Sequence, residues 1–398
     1  MRDLKVLILI NSLAGGGAER VTLNLAKEWH DAGADVIIAT LQSEEHDAYF
    51  VPEGIRRVSL NISGKSKSML WILRNSVAPF ISIRRLLQRE RPNIAIGSIT
   101  ISAIGLALAR TGDEISIGYE HSYPREDFSG WTRWIWNLVR RYSYARLDGV
   151  VALVPQSAKW LRENTHARKV VAIPNWISLP LPYNEPRIEP EDVVPEGKKL
   201  LLAAGRLHEQ KRFDRLLDAF ARIKDSHPDW HLVILGEDFV AWRKTTLRKD
   251  LEAQVSRLGL TQQVSLPGFA GNVADWYRAA DALVLTSAFE GFPMVLLEAM
   301  AHGCPPISVD CDTGPRDIIN NGENGLLVPQ DDIDALVNGL DRMLSDDGLR
   351  ARFASKAIEV LEIYSPTRVN ARWQDLFTDL RKDRSAQIGR TRERRYTK

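Results

Sequence analysis

The chain has 398 residues, a mass of 44.9 kDa and an apolar content of 44%, which is typical of a globular protein. A chain of this length is too long for one ordinary hydrophobic core, so we predict two domains. Two cysteines cannot build a disulfide framework and favour a reducing cytosol, and no apolar run approaches the roughly 20 residues that span a bilayer. The net charge of +2 hides an asymmetry, because residues 1–180 carry 23 basic against 17 acidic side chains and residues 381–398 carry 8 against 2. We therefore expect one face to meet an anionic surface; nucleic acid is the weaker candidate, since no aromatic-basic recognition module appears.

The first half of the chain alternates apolar strands with helical segments. A strand at 5–11 leads into a glycine turn and a helix over 18–30, and further strands are predicted at 36–40, 94–98, 150–154 and 170–173. Strands that alternate with helices predict a doubly wound α/β domain over residues 1–179.

The glycine turn consists of Gly15, Gly16 and Gly17, between the first strand and its helix. Glycine lets the backbone approach a phosphate or a sugar closely. The pattern is not GxGxxG, and Asp35 precedes the next strand rather than ending it, so a nicotinamide-binding site is disfavoured. A turn that needs glycine only for its own geometry is the alternative.

His121 follows the segment where the fifth strand of this domain is expected to end. A histidine at such a position faces the ligand edge of the sheet and is a candidate for catalysis, although a structural histidine is the commoner case. Three neighbouring acids are alternative bases: Glu120, Glu126 and Asp127.

A helix predicted over 131–144 combines tryptophan with arginine. Interfacial helices place tryptophan at the depth of lipid headgroups and arginine on phosphates, so we expect contact with a membrane or a lipid-linked acceptor. An ordinary amphipathic packing helix is the alternative. The candidate residues are Trp131, Trp134, Trp136, Arg133, Arg140 and Arg141.

Five prolines between residues 180 and 197 predict a linker, and a second α/β series follows over residues 198–364. Its strands are expected at 199–204, 231–235, 264–266, 282–286 and 306–309. Two such domains leave a cleft lined by strand carboxyl ends, where open α/β sheets bind ligands. Residues 383–398 are basic and without pattern, and we expect them to be disordered.

Residues 290–303, EGFPMVLLEAMAHG, are the most informative segment. Pro293 suits the start of a helix and Gly303 its end, and a helix that starts just after a parallel strand is a preformed anion site. Glu290 and Glu298 bracket that start, which gives donors for a phosphate beside acceptors for hydroxyls. A glycosidase pair is disfavoured, since eight residues of helix separate two carboxylates by about 12 Å.

The first strand of the second domain ends at Gly205 and Arg206, and Lys211 follows on the loop. Two cations at strand carboxyl ends clamp a diphosphate from two directions. Solvated surface charge is the alternative for both.

Taken together, these residues resemble the GT-B glycosyltransferases of family 4. The likeness is dense in the second domain and sparser in the first, where it rests on 15–20 and the surroundings of His121. The matching segments of the second domain are GRL at 205–207, QK at 210–211, VILGE at 233–237, PGF at 267–269, the stretch from Thr286 to Met300, and GLLVP at 325–329.

The resemblance implies two Rossmann-like domains facing across a cleft, with a last helix at about 365–382 that returns to the first domain. It implies that Arg206 and Lys211 hold the diphosphate, that Glu298 binds the ribose and that Glu290 binds the C3 and C4 hydroxyls of the sugar. The backbone of Phe292, Met294 and Val295 would contact sugar and phosphate. Gly16, Gly17 and His121 would approach the donor from the other domain, with Gly205 beside the phosphates.

The resemblance further implies a retaining reaction without a bound metal or other cofactor, and bacterial members of this kind build polysaccharides or lipid-linked oligosaccharides from UDP-sugars. We therefore expect a cytoplasmic enzyme, peripheral on the inner face of the membrane, that moves a hexose or N-acetylhexosamine from a UDP-sugar to such an acceptor. A GT-B phosphorylase, a sugar-nucleotide epimerase and a non-catalytic nucleotide-sugar-binding protein are the rivals.

Overall fold

The computed structural model describes residues 1, 4–14, 16–62, 69–125, 130, 133–240, 243–244 and 246–396. They divide into two compact units: unit 1 comprises Met1–Pro174 with Val369–Lys398, and unit 2 comprises Asn175–Arg368. Gly15, Glu126, Asp127 and Trp131, all named above, lie outside the described residues.

Unit 1 contains a parallel sheet of seven strands in its described part, ordered β3-β2-β1-β4-β5-β6-β7. The strand order reverses between β1 and β4, which makes this pair the switch point where such sheets bind ligands. The strands are β1 (Lys5–Ile10), β2 (Asp35–Thr40), β3 (Arg56–Ser59), β4 (Ile94–Ser98), β5 (Ile115–Tyr119), β6 (Gly149–Ala152) and β7 (Val170–Ala172). The helices between them are α1 (Gly17–Asp31), α2 (Met69–Glu90), α3 (Thr100–Ala109), α4 (Arg133–Ser143) and α5 (Pro155–Asn164), with 3-10 turns at Glu44–His46 and Tyr144–Arg146.

Strands of this sheet are apolar on both faces because helices cover both sides. Leu7 and Leu9 of β1 are fully buried in a core that also takes Leu106 of α3 and Leu161 of α5. Because of these continuous apolar runs, the strands can be predicted from the sequence.

Unit 2 contains a parallel sheet of six strands in its described part, ordered β12-β9-β8-β13-β14-β15, with the switch point between β8 and β13. Its strands are β8 (Lys199–Ala204), β9 (Trp230–Leu235), β12 (Val264–Gly268), β13 (Ala282–Leu285), β14 (Pro306–Asp310) and β15 (Leu326–Pro329), and β10 (Phe239–Val240) pairs antiparallel with β11 (Arg243–Lys244). Its helices are α6 (Pro190–Val193), α7 (Phe213–Ala221), α8 (Leu247–Arg257), α9 (Val273–Ala279), α10 (Met294–Ala301), α11 (Pro315–Ile318), α12 (Ile333–Ser345), α13 (Asp347–Ala357) and α14 (Val360–Ile363), with a 3-10 turn at Glu209–Lys211.

The proline-rich segment 180–197 belongs to unit 2 and is not a free linker. The backbone N–H of Asn184 donates to Gly271 O at 3.1 Å, and the indole Nε1 of Trp276 donates to Ile188 O at 2.9 Å. Gly271 permits this approach, because a Cβ there would lie 1.8 Å from Asn184 O. Composition alone suggested a linker, but its backbone groups are satisfied by the unit that follows.

The last helix, α15 (Pro366–Tyr396), belongs to unit 1 from Val369 onward. Trp373 and Phe377 each pack edge-to-face on Trp29 of α1, with ring centroids 5.4 Å apart. The expectation of a disordered tail over 383–398 is wrong as far as Tyr396, where the helix ends. Five of the sixteen residues of this stretch are arginines, and arginine is a good helix former.

Across the described residues, no helix is both long and apolar enough to span a bilayer.

Candidate functional site

The site in unit 2 is built on the loops that follow β8, β9 and β13. Gly205 directly follows β8 with φ +152°, and its N–H donates to Leu235 O at 2.9 Å. Gly236, directly after β9, lies so close that a Cβ on it would be 1.8 Å from Gly205 O. Both positions require glycine, and the first two loops are therefore held in contact at the switch point.

Lys211 and Glu290 meet at this switch point. The Lys211 Nζ lies 2.7 Å from Glu290 Oε1, and the two side chains are only 17% and 10% exposed. Gly205 makes room for the lysine, since a Cβ there would lie 3.0 Å from Lys211 Cε. Three residues singled out in the sequence are thus brought together in one place.

Further hydrogen bonds fix the loop carrying Lys211 to the segment that leads to Glu290. The Thr286 hydroxyl donates to Lys211 O at 2.9 Å, the Ala288 N–H donates to Gln210 O at 2.7 Å, and the Gln210 amide donates to Phe289 O at 2.6 Å. Sequence reasoning gave Thr286 and Gln210 no role of their own. Both act by holding the position of the ion pair.

Glu290 stands just before α10, whose first N–H groups have no partner within the helix. Pro293 immediately precedes that helix, and Gly303 follows it with φ +79°, as the sequence predicts. Gly314 presses on this corner: its φ is +98°, and a Cβ on it would lie 2.6 Å from Pro293 Cδ. The Thr313 hydroxyl donates to Glu290 O. The corner that aims Glu290 and presents the N–H groups of Met294 and Val295 is therefore tightly specified.

Glu298 lies inside α10 and is 4% exposed. Its Oε2 accepts a hydrogen bond from the Tyr277 hydroxyl at 3.0 Å, and the Tyr277 ring lies 5.8 Å from the ring of His302. The side chain of Phe292 is also buried, against Tyr364 at 5.5 Å. Tyr277 is a neighbour of Glu298 that sequence reasoning missed, because nothing in the spacing of residues 277 and 298 links them.

Arg206 projects from the loop after β8 and its side chain is exposed. Within the described part of the chain it forms no ion pair with an acidic side chain, in contrast to Lys211. The two predicted cations thus differ: one is compensated by Glu290 and one is free to meet an anion.

In unit 1, Gly16 and Gly17 lie at the start of α1, at the end of the loop that follows β1. A Cβ built on Gly17 would meet no heavy atom within 4 Å, whereas one on Gly16 would lie 2.2 Å from the carboxylate of Glu19. Open space in front of Gly17, at the N-terminus of a 15-residue helix, suits close approach by an anionic ligand.

His121 lies two residues beyond β5 and its ring packs on Tyr119 with centroids 4.0 Å apart. Its Nε2 lies 2.8 Å from Ser98 Oγ, which in turn lies 2.8 Å from Thr22 Oγ1. Burial lowers the pKa of His121 to about 3, so the ring is neutral at physiological pH. Ser98 and Thr22 were not expected from the sequence.

Glu120, an alternative base, is 1% exposed. Its two carboxylate oxygens accept hydrogen bonds from the hydroxyls of Thr100, at 2.5 Å, and Tyr144. These contacts tie Glu120 into the core, and His121 is the better placed of the two to meet a ligand.

Helix α4 presents its apolar side chains outward. Trp134, Leu138 and Tyr142, spaced four residues apart on one face, are 65%, 45% and 60% exposed. Arg140 corrects the prediction, because it is fully buried: its guanidinium donates to Asn137 Oδ1 at 2.8 Å and to Pro124 O, and stacks 4.7 Å from the Trp160 ring. Arg140 therefore anchors the helix and is not available to a membrane or an acceptor.

Arg133 and Arg141 stay near the surface on the same helix. Arg133 donates to Arg125 O at 2.8 Å, and Arg141 Nε lies 3.2 Å from His166 Nε2. An apolar stripe beside two cations is the arrangement expected of an interfacial helix.

Comparison with known proteins agrees with this architecture. The model of Glycosyltransferase Family 4 matches residues 15–180, and the model of Glycosyl transferases group 1 matches residues 184–360. The two matches follow each other along the chain and leave little of it unmatched. The chain belongs to the GT-B glycosyltransferases of family 4.

Relatives of this glycosyltransferase include proteins that align over nearly their full length. The amylovoran biosynthesis glycosyltransferase AmsD of Erwinia amylovora is 26% identical over 94% of this chain and 99% of its own. A Campylobacter jejuni N-acetylgalactosaminyltransferase, named for an undecaprenol-diphosphate-linked glycan, is 24% identical over 95% of this chain and 99% of its own. An exopolysaccharide phosphotransferase of Streptomyces coelicolor is 32% identical, but over 59% of this chain and only 24% of its own length.

Among solved structures, HepE of Anabaena in complex with UDP-glucose is similar to this glycosyltransferase. The TM-score is 0.77 at 18% sequence identity, and the match covers 94% of this chain and all of that one. At this identity the match shows that the two proteins share a fold. Within the described part of the chain, no group of three or more His, Cys, Asp or Glu side chains is placed to hold a metal ion.

Proposed function

We propose that this glycosyltransferase acts with retention and transfers a hexose or N-acetylhexosamine, of the GalNAc, Gal or Glc type, from a UDP-sugar. We propose a lipid-linked or polysaccharide acceptor in the synthesis of a bacterial surface glycan. The observation that carries the proposal is the Lys211–Glu290 pair at the switch point of unit 2. Its two charged atoms are 2.7 Å apart, and Glu290 lies four residues before the first residue of α10, Met294.

That arrangement suits a sugar diphosphate. Negative charge builds up on the diphosphate as it leaves, and fixed cations and helix N–H groups stabilise it without reorganisation. In the proposal, Arg206 and Lys211 bind the diphosphate oxygens, and Glu290 accepts hydrogen bonds from hydroxyls of the sugar. Glu298, held by Tyr277, accepts from the ribose.

The proposal needs no protein nucleophile. The bond between the sugar and the diphosphate breaks as the acceptor hydroxyl attacks the same face of the sugar, and an oxygen of the leaving phosphate takes the proton of that hydroxyl. No step is assigned to a metal ion. Loss of activity in EDTA that Mg²⁺ restores would contradict this part.

The acceptor side of the proposal draws on the names of the relatives and on helix α4. AmsD and the Campylobacter enzyme are named for a polysaccharide and for an undecaprenol-linked glycan. The apolar stripe of Trp134, Leu138 and Tyr142, beside Arg133 and Arg141, fits an anionic membrane surface, where a lipid-linked acceptor resides. We therefore propose a peripheral position on the cytoplasmic face.

A two-stage experiment tests the function. Thermal denaturation with a panel of nucleotide-sugars identifies the donor, since a ligand at 100 times its dissociation constant adds about 2.7 kcal/mol of stability. The chosen donor is then incubated with undecaprenyl-diphosphate-linked saccharides, and the anomeric configuration of the product is read by NMR. Transfer with an unchanged anomeric configuration is expected.

Other outcomes identify the rivals. Donor binding without transfer or hydrolysis indicates a nucleotide-sugar-binding protein, release of a sugar phosphate in the presence of inorganic phosphate indicates a phosphorylase, and an epimerised donor indicates an epimerase. Inversion of the anomeric centre would contradict the retaining assignment while leaving glycosyl transfer in place.

A further inference from the structure

Three side chains of unit 1 form a continuous chain of hydrogen bonds that the proposed reaction does not by itself require. Thr22 projects from α1, Ser98 ends β4 and His121 follows β5, so the chain crosses the carboxyl edge of the sheet at its switch point. The oxygens of Thr22 and Ser98 are 2.8 Å apart, and Ser98 Oγ is 2.8 Å from His121 Nε2. Thr22 and Ser98 are 1% and 0% exposed.

Burial gives this chain a direction. A buried hydroxyl hydrogen needs an acceptor, and Ser98 Oγ is the one side-chain partner of Thr22 within the described residues. Thr22 therefore donates to Ser98. Since one hydroxyl has a single hydrogen, Ser98 passes its own to the next acceptor along, which is His121 Nε2.

The direction fixes the histidine. A neutral imidazole carries one hydrogen, and a ring whose Nε2 accepts a hydrogen bond must carry it on Nδ1. The reverse arrangement, with hydrogen on Nε2, would leave the hydrogen of Thr22 without an acceptor in the core. Packing of the ring on Tyr119 further restrains its rotation.

We propose that Ser98, directed by Thr22, is a positioning residue that holds His121 in the Nδ1–H tautomer, so that the imidazole offers a hydrogen-bond donor to an oxygen of the sugar nucleotide. The inference rests on the proposed function for the identity of that ligand. It assigns His121 the role of a neutral donor: Nε2 is already occupied, and the ring is not the base that accepts the proton of the acceptor hydroxyl.

The tautomer is measurable in the ligand-free, full-length protein. Long-range proton–nitrogen correlation spectra of ¹⁵N-histidine-labelled protein distinguish the two ring nitrogens, and the His121→Gln variant assigns its signal among the 8 histidines. We expect the Nδ1–H tautomer in the wild type. Hydrogen on Nε2 would overturn the inference.

Ser98→Ala removes the donor to Nε2 and is expected to release the tautomer and to lower kcat about tenfold, with a smaller change in the KM of the donor. Ser116→Ala is the matched control, because Ser116 is a fully buried serine of the adjacent strand β5 whose hydroxyl donates to Glu114 Oε1. That variant should retain both the tautomer and the turnover. An unchanged His121 signal in Ser98→Ala would contradict the role of Ser98.

The spectra also separate this inference from the proposed function. An Nδ1–H tautomer in a protein that turns over no sugar nucleotide would leave the hydrogen-bond chain standing and remove only its ligand. An Nε2–H tautomer in an active glycosyltransferase would overturn the role of Ser98 and leave the proposed function in place. If Ser98→Ala does not fold, the wild-type spectrum still decides the tautomer.

Discussion

The ammonium of Lys211 lies 2.7 Å from Glu290 Oε1, and each belongs to a loop that leaves one of the two strands flanking the switch point of unit 2. Two opposite charges that are largely buried compensate each other before any ligand arrives. A diphosphate that attracts Lys211 would free the carboxylate for sugar hydroxyls. Under the proposed function, the pair would thus couple recognition of the two halves of a nucleotide-sugar.

Replacing Lys211 with alanine should lower turnover more than donor binding. In the proposed function the ammonium acts mainly where charge develops in the transition state, and loss of such a group costs on the order of 3 kcal/mol, or about 100-fold in kcat. Steady-state kinetics and calorimetric binding of the donor measure the two effects. Lys224→Ala is the control, since Lys224 pairs with Asp225 at the surface of the same unit. Unchanged kcat in Lys211→Ala would remove this residue from the mechanism.

Replacing Glu290 with alanine should also reduce kcat more than it weakens binding of the nucleotide-sugar. The carboxylate is proposed to hold the sugar, so UDP alone should bind this variant about as well as it binds the wild type. Displacement titrations with UDP and with the donor sugar nucleotide make the comparison. A parallel loss of affinity for both ligands would place Glu290 at the nucleotide instead.

Two glycine substitutions should separate ligand contact from folding. Gly17→Ala places a methyl where no heavy atom lies within 4 Å, so the melting temperature should hardly change while the KM of the donor rises. Gly314→Ala must accept φ +98° and a contact of 2.6 Å with Pro293 Cδ, so it should destabilise unit 2 by several kcal/mol. Thermal melts with donor kinetics on both variants test this contrast. Equal melting temperatures for the two would contradict it.

Most strands of the two sheets can be predicted from the sequence because both sheets are parallel. Strands such as Lys5–Ile10 and Lys199–Ala204 are covered on both faces and appear as continuous apolar runs. Strand β3, Arg56–Ser59, was missed because it lies at a sheet edge and reads RRVS. Strands β10 and β11 have only two residues each, which is too short for an alternation of apolar and polar side chains to predict them.

The candidate site was predictable where one segment carries its own geometry. Within 14 residues, Pro293 and Gly303 predict the two ends of a helix, and the two glutamates are placed around its start. Contacts between distant segments were not predictable: Tyr277 reaches Glu298, and Thr22 reaches Ser98, across 21 and 76 positions. The burial of Arg140 was missed for a related reason, since an arginine among tryptophans suggests a surface until its partners are known.

Helix α4 should bind anionic vesicles through its apolar stripe. The double variant Trp134→Ser/Tyr142→Ser should weaken binding to phosphatidylglycerol vesicles at least tenfold, because each large apolar side chain contributes about 1.5–3 kcal/mol on burial. Sedimentation with vesicles measures it, and 1 M salt should weaken binding by screening Arg133 and Arg141. The double variant Ile358→Ser/Ile363→Ser, at side chains 47% and 44% exposed in unit 2, is the control. If neither the Trp134→Ser/Tyr142→Ser variant nor 1 M salt weakened vesicle binding, helix α4 would be excluded as the membrane-binding surface.

Glu90 should make unit 1 sensitive to acid. Its carboxylate accepts from Arg56 at 2.6 Å, Arg89 at 2.9 Å and Lys5 at 3.1 Å, and these cations, Arg56 above all, lower its pKa to about 2. A carboxyl whose folded pKa lies below its unfolded value stabilises the fold above the unfolded pKa of about 4.5, and that contribution fades as the pH falls toward 2.

Glu90→Gln should therefore lower the free energy of unfolding at pH 7 by roughly 3 kcal/mol, and the difference from the wild type should shrink steadily below pH 4.5. Urea denaturation at a series of pH values measures both quantities. Glu163→Gln, at an exposed position of α5, should change neither. A wild-type advantage that stayed constant down to pH 3 would mean that Glu90 stabilises the edge of the sheet by packing and not by its charge.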